Sequence, residues 1–312
     1  MGQGSRAVVA IGECMVELAR GADNRFALAY GGDTFNTAVY MARCGLAVSY
    51  ATALGDDPYS RGIRQMAADE GVGTELMLAV PGRMPGLYLI ETSSDGERTF
   101  HYWRDRSPAR ELFERPEAEQ IGAAMLGARL VYISGITLSL YSAAGLDRLV
   151  DALAAARASG ARIAMDGNYR PRGWAGDQAR ARRVMERFWR HADVALPTLD
   201  DEEQLWSETG AASVIARLGA LGVAEIVVKD GPRGAIVVAN GTTAAVPIPA
   251  PVAAIDTTAA GDSFNAAYLA ARLAGASPAD ATRDGHRLAG VVVQHRGAIV
   301  PRQATAGVIV KR

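Results

Sequence analysis

The sequence predicts an α/β protein: a central, mostly parallel sheet with helices on both faces, plus a small β lid. Three observations lead there. Short apolar segments alternate with longer helical patterns along most of the chain, the pattern of strands joined by crossover helices. One aromatic-rich β-prone pair, Leu87–Thr92 and Glu97–Trp103, interrupts that alternation and reads as strands outside the main sheet. The 312 residues, 49% of them hydrophobic, suffice for a large, well-filled core.

From the N-terminus, Val8–Ile11 is a short apolar strand followed by Gly12. Gly31 and Gly32 precede a helical pattern from Asn36 to Cys44. Ala47–Leu54 reads as the next strand, and Pro58–Glu70 as a helix ending at Gly71. Ser93-Ser94-Asp95-Gly96 supplies the turn of the interrupting hairpin. From Leu130 the alternation resumes, with strands at Leu130–Ser134, Arg162–Met165, Val194–Leu196 and Ile226–Val228. Helices are expected at Ala143–Arg157, Asp177–Arg190, Asp200–Trp206 and Ala212–Leu221. A hairpin through Gly231–Gly234 leads to a strand at Ala235–Val238, and helices follow at Ser263–Ala274 and Ala281–His295.

Composition excludes several classes. The formal net charge of -1 gives no clustered basic surface for nucleic acid. Two cysteines, Cys14 and Cys44, make neither a disulfide framework nor a CxxC metal site, and the four histidines are scattered. No apolar run is long enough to span a bilayer, and Met1–Ala7 lacks a secretory pattern, so a cytoplasmic location is expected. Arginine is abundant, whereas lysine occurs only at Lys229 and Lys311, so a single arginine is weak evidence and Lys229 a more pointed signal.

The most informative stretch runs from Asp256 to Asn265: Asp-Thr-Thr-Ala-Ala-Gly-Asp-Ser-Phe-Asn. Small residues at Ala259, Ala260 and Gly261 lead into an amphipathic helix. A helix N-terminus offers free amides and a positive dipole, and small side chains let phosphate approach them. Asp262 can cap that helix, or it can accept the proton of a hydroxyl awaiting phosphoryl transfer. The absence of GxxxxGK[ST] excludes a Walker-type loop, and the absence of GxGxxG after a strand counts against a dinucleotide-binding dehydrogenase.

The stretch Asp256–Asp262 resembles the C-terminal signature of the ribokinase-like (PfkB-type) carbohydrate kinases. Gly31-Gly32-Asp33-Thr34-Phe35-Asn36 resembles their N-terminal sugar-binding motif. A narrower resemblance, to 2-keto-3-deoxygluconate kinases, runs nearly end to end. It is carried by Ile11–Met15, Pro85–Tyr88, Gly96–Phe100, Tyr102–Arg104, Asn168–Arg172 and Gln294–Ala298. It implies a single ribokinase-like domain over residues 1–312, with a lid from segments near 13–30 and 86–104. The activity implied is transfer of the ATP γ-phosphate to the terminal hydroxyl of the sugar acid, with Asp262 as the base.

Residue by residue, the resemblance implies that Gly31, Gly32, Asp33, Thr34, Phe35 and Asn36 form the sugar site. Tyr88, Tyr102, Trp103, Arg104 and Arg170 then meet the acid, arginine being suited to grip a carboxylate by two parallel bonds. The same hairpin could equally bury its aromatics in a core and leave its arginines in water. Asn168, Lys229, Gly231, Gly234, Ala259, Ala260 and Gly261 are implied on the nucleotide side, although Lys229 could also be a solvated turn residue. Many relatives carry an Asn-x-x-Glu magnesium motif where this chain reads Thr198-Leu199-Asp200-Asp201, which leaves Asp201 as the oxygen donor for Mg²⁺. A monovalent cation near Asp256 and Thr258 is a family possibility. Exposed hairpin strands in this fold often pair between subunits, so a homo-oligomer is expected, with ATP and a small sugar acid as partners. A kinase of a neutral sugar, such as a fructokinase or ribokinase, would share the fold and Asp262. A non-catalytic sugar-acid sensor on the same fold would not need Asp262.

Overall fold

The structure is a computed structural model that describes residues 8–21, 23–92 and 98–309. The expected turn at Ser93–Gly96, Glu97, the segment Met1–Ala7 and Lys311 lie outside the described residues. Fourteen strands are present among the described residues. They are β1 (Val8–Ile11), β2 (Met15–Arg20), β3 (Phe26–Gly31), β4 (Val48–Leu54), β5 (Val72–Gly73), β6 (Met77–Ala79), β7 (Leu87–Thr92) and β8 (Arg98–Trp103). The rest are β9 (Leu130–Ser134), β10 (Arg162–Asp166), β11 (Val194–Ala195), β12 (Glu225–Lys229), β13 (Ala235–Ala239) and β14 (Thr242–Val246).

The larger sheet runs β14-β13-β12-β11-β10-β9-β1-β4-β5, with β6 also paired to β4. Its pairings are parallel from β12 through to β5 and β6, and antiparallel only in the β12-β13-β14 edge. Alternation along each central strand explains why helices cover both faces. Val9, Ile11, Val131 and Ile133 point into one core, packed by the helices Ala143–Ala158, Gln178–Trp189 and Ala211–Ala220. Val8, Ala10, Leu130 and Tyr132 point into the other, packed by Asp33–Arg43, Ala260–Leu273 and Pro278–Val292. Full burial of a side chain such as Ile11 or Ile133, each 0% exposed, contributes about 1.5–3 kcal/mol.

The expected strands at Val8–Ile11 and Leu130–Ser134 are found residue for residue, and the other expected main-sheet strands lie within a residue of expectation. Five strands were not anticipated individually: the short β5 and β6 beside β4, and β2, β3 and β14. β14 follows Asn240-Gly241, both at positive φ (51° and 72°), the geometry of a tight hairpin turn whose Asn-Gly signature was available in the sequence. β2 and β3 join β7 and β8 in a separate sheet of order β3-β2-β7-β8. β3 is exposed over most of its length, so no apolar alternation announces it.

β1 has β4 on one side and β9 on the other, so the order of strand addition reverses there while all three stay parallel. Ligands bind at the carboxyl ends of strands beside such a reversal. Gly12, Ser134, Asp166 and Lys229 stand at or just beyond those ends. Two helices, Asp33–Arg43 and Ala260–Leu273, begin in the same crevice and bring two positive dipole ends together. Among the described residues, no helix is long and apolar enough to cross a membrane.

Candidate active site

The helix Ala260–Leu273 begins on Ala259, which sits in the left-handed region at φ 59° with no side-chain cap. Among the described residues, no backbone carbonyl accepts from the amides of Gly261 or Asp262, so the first turn keeps donors for an anion. Asp262 could have capped this turn and does not. Its Oδ2 accepts from Asn36 Nδ2 at 2.8 Å, across to the other helix. Asp262 is 8% exposed, and its carboxyl is pushed well above the usual range by burial first and then by the charge of Asp33. The Asn36 hydrogen bond and the Lys229 charge oppose that shift.

Asp33, in the first turn of its helix, accepts from Asn168 Nδ2 at 2.9 Å. Burial raises its pKa, a hydrogen bond from Ser134 lowers it, and the charge of Asp166 raises it again. Asn168, expected on the nucleotide side, is joined to Asp33 of the expected sugar motif, and it holds φ 34°, a strained value that asparagine tolerates better than most residues. Gly31 faces the same space: a Cβ there would lie 3.1 Å from Tyr88 Oη and 3.5 Å from Asn36 Oδ1. Gly32 is needed for close approach, because a Cβ would overlap the Glu13 carbonyl. Thr34 and Phe35 turn the other way. Thr34 hydrogen-bonds Tyr50 at 2.9 Å and Phe35 packs edge-on to the same ring, so only their backbone could reach a ligand.

The small sheet supplies the opposite wall. Tyr88 is buried and donates to Glu17, while Tyr102 and Trp103 are exposed. Arg104 forms an ion pair with Glu13, which is almost wholly buried, and its guanidinium lies over the Tyr102 ring at 5.9 Å. Tyr102 feels the charges of Arg104, Arg170 and Arg172 together, which oppose the rise that burial gives its pKa. Arg172 also donates to the Phe100 carbonyl at 2.9 Å, tying the small sheet to the loop after β10. Arg170 reaches both oxygens of Asp201, at 2.9 and 3.0 Å.

Lys229 is 7% exposed, with Nζ 3.2 Å from each oxygen of Asp166 and 3.1 Å from Asn265 Oδ1. It is therefore no solvated turn residue. Gly231 (φ 50°) and Gly234 (φ 101°) make the reversal that follows it. Asp256 accepts the amides of Thr258 and Gly297, each at 2.8 Å, and so ties the loop before Ala260 to the segment after the last long helix. Among the described residues, no group of three His, Cys, Asp or Glu side chains could hold a metal by itself.

The structure thus gathers Asp33, Asn36, Asn168, Lys229, Gly261 and Asp262, with Gly31, Tyr88, Tyr102 and Arg104 on the facing wall. Glu13, Glu17, Ser134 and Asp166 were not anticipated. Glu13 had a signal, since it lies inside Ile11–Met15, but nothing local marks an acidic residue at a strand end as a site. A separate cavity of about 480 Å³ opens near Arg162, Glu225 and Arg272. Its guanidiniums are already matched by Asp193 and Glu225, and it lies at the opposite ends of the strands.

The chain matches the profile of the pfkB family carbohydrate kinases over residues 5–305. It is 42% identical to a 2-dehydro-3-deoxygluconokinase of Escherichia coli (strain K12) over 309 residues, covering 96% of this chain and 99% of that protein. The fold is shared with a 2-dehydro-3-deoxygluconokinase of Thermotoga maritima (TM-score 0.82, 24% identity, 94% of this chain and 95% of that one). It is also shared with a putative ribokinase II of E. coli in complex with ATP and Mg²⁺ (TM-score 0.83, 21% identity, 97% and 98%).

A carboxyl whose folded pKa is raised favours the folded state below its unfolded pKa and loses that contribution as pH rises through the folded value. Asp262→Asn is therefore expected to unfold at higher temperature than the wild type at pH 7, with the difference shrinking toward pH 4. Melting curves across that range check it, and a difference independent of pH would contradict the burial argument.

Proposed function

Because the chain belongs to the pfkB family of carbohydrate kinases, we propose that it phosphorylates the terminal hydroxyl of 2-keto-3-deoxygluconate (2-dehydro-3-deoxygluconate) with ATP, Asp262 being the general base. The observation that carries this reading is the Asp262 carboxylate, turned away from its own helix and held by Asn36 beside the unpaired amides of Gly261 and Asp262. A hydroxyl lodged between Asp262 and Asp33 gives its proton to Asp262 as its oxygen attacks the γ-phosphorus. The P–O bond to the β-phosphate breaks, and ADP leaves. A positioned base contributes roughly 10²–10⁴-fold, and an aimed amide donor about 10²–10³-fold.

The residues present fit the nucleotide. Ala260 and Gly261 leave room at the helix end for phosphate, and Lys229 lies beneath them. Mg²⁺ brought with ATP would neutralise phosphate charge; Asp201 is the carboxylate this chain offers to it, and both its oxygens are held by Arg170. A role for a monovalent cation at Asp256 has less support, because both carboxylate oxygens already accept amides.

The acid is favoured over a neutral sugar by the arginines at the mouth. Arg104, Arg170 and Arg172 surround Tyr102, and only part of their charge is answered by Glu13 and Asp201. The small sheet acts as a lid within one kinase unit. The exposed edge strand β3, with Phe26 at 49% and Leu28 at 51% exposure, fits a second copy of the chain. Two buried free cysteines suit a reducing cytoplasm.

Asp262→Asn is expected to lower kcat by about 10³-fold or more while both KM values stay within about three-fold. Near-normal turnover would remove Asp262 as the base. Arg104→Ala should raise KM for the keto-deoxy acid at least about ten-fold, with KM for ATP little changed. Equal effects on both substrates, or equal use of fructose and ribose by the wild type, would favour a neutral-sugar kinase. Leu28→Glu should convert a dimer to a monomer in sedimentation runs, and a monomeric wild type would end the lid-pairing idea.

A further inference from the structure

Lys229 is the sole lysine among the described residues, and it is buried in the floor of the site. An ammonium has three donors, and here they meet Asp166 Oδ1, Asp166 Oδ2 and Asn265 Oδ1. The Asn265 amide is fixed in turn, donating to Asp166 Oδ2 at 2.7 Å and to Tyr132 Oη at 3.1 Å. Asn265 follows Asp262 by one helical turn and so shares its face. A Cβ built on Gly261 would lie 3.6 Å from Lys229 Nζ, which puts the ammonium beneath the residue preceding Asp262.

A buried ion pair is weak evidence of stability, since desolvation offsets much of its attraction. This one stands among charges that matter to the chemistry. Facing Asp262 are Asp33 from its helix, Asp166 from β10, Lys229 from β12, the Asn36 amide, and the hydroxyls of Tyr40 and Tyr132. Three carboxylates share the crevice, and Lys229 is the cation at its floor.

We propose that Asp166 and Lys229 form a built-in charge pair that sets how readily Asp262 accepts a proton, Lys229 supplying the positive charge and Asp166 holding it in register. Both are positioning residues, and the proposal rests on the reading of Asp262 as the base. Lys229 favours the Asp262 carboxylate, and Asp166 disfavours it.

The pair can be separated because its members act with opposite sign. Lys229→Met should move the titration of Asp262 upward and Asp166→Asn should move it downward, each by about one pH unit. An asparagine at 166 still offers an acceptor to the ammonium. The charge-neutral double variant should return toward the wild-type value, and Lys229→Arg should stay close to it. Two readouts are compared: the acid limb of kcat/KM, and a difference infrared titration of the carboxyl band, each protein against its own Asp262→Asn counterpart. Single variants that leave both unmoved, or that shift them in the same direction, overturn the proposal. The infrared titration needs no turnover, so a wild type inactive on every keto-deoxy acid would refute the substrate reading alone. If Lys229→Met does not fold, Asp166→Asn and the double variant decide the matter.

Discussion

The site depends on a carboxylate kept in a place that disfavours its charge. Asp262 is buried and faces Asp33 and Asp166, and on the proposed reading it takes a proton from a hydroxyl. Everything around it can be understood as managing that conflict. Asn36 donates to it from one side, Lys229 stands beneath it, and the two helix N-termini that meet in the crevice add their positive ends. Moving the carboxylate into water would relieve its burial but would also take it away from the free amides of the first turn. The fold keeps the burial and surrounds it with compensating groups.

How much of this the sequence revealed divides along physical lines. Features set by residues close in sequence were legible. β1 and β9 are short apolar runs that could be little else, and the glycine-rich and alanine-rich motifs marked where two helices begin. Features set by partners far apart were not. Glu17 is buried only because β2 pairs with β7, a neighbour some seventy positions later. Asp166 reads as the polar end of a strand until Lys229 and Asn265 arrive, 63 and 99 residues further on. Nothing near Asn168 in the chain shows that its side chain donates to Asp33, 135 residues earlier.

Arginine illustrates the same division. With so many in the chain, none could be singled out by identity, and most prove to be structural. Arg43 holds Glu70 at 2.8 Å while also donating to the Val300 carbonyl, and Arg217 pairs with Glu202 and stacks 4.2 Å from the Trp206 ring. Arg272 joins Tyr268 on Glu225. What separates Arg104, Arg170 and Arg172 from these is convergence on one exposed aromatic ring at the mouth of a cleft. Position relative to other elements, and not residue type, carries the information.

The helix ends make the closing point about cause. Side chains cap the helices Pro58–Asp69, Ala143–Ala158, Gln178–Trp189 and Pro278–Val292, through Asp57, Ser142, Asp177 and Ser277. Such a cap is worth about 1 kcal/mol. The helix Ala260–Leu273 has none, and it begins on an alanine in the left-handed region, which costs about 1–2 kcal/mol. An uncapped end alone means little, since Ala118–Gly127 and Ala211–Ala220 also lack one. Here Asp262 stands in the first turn and its carboxylate is bonded across to Asn36 on another helix. On the proposed reading, the amides left free at this turn are donors for the anionic end of the nucleotide.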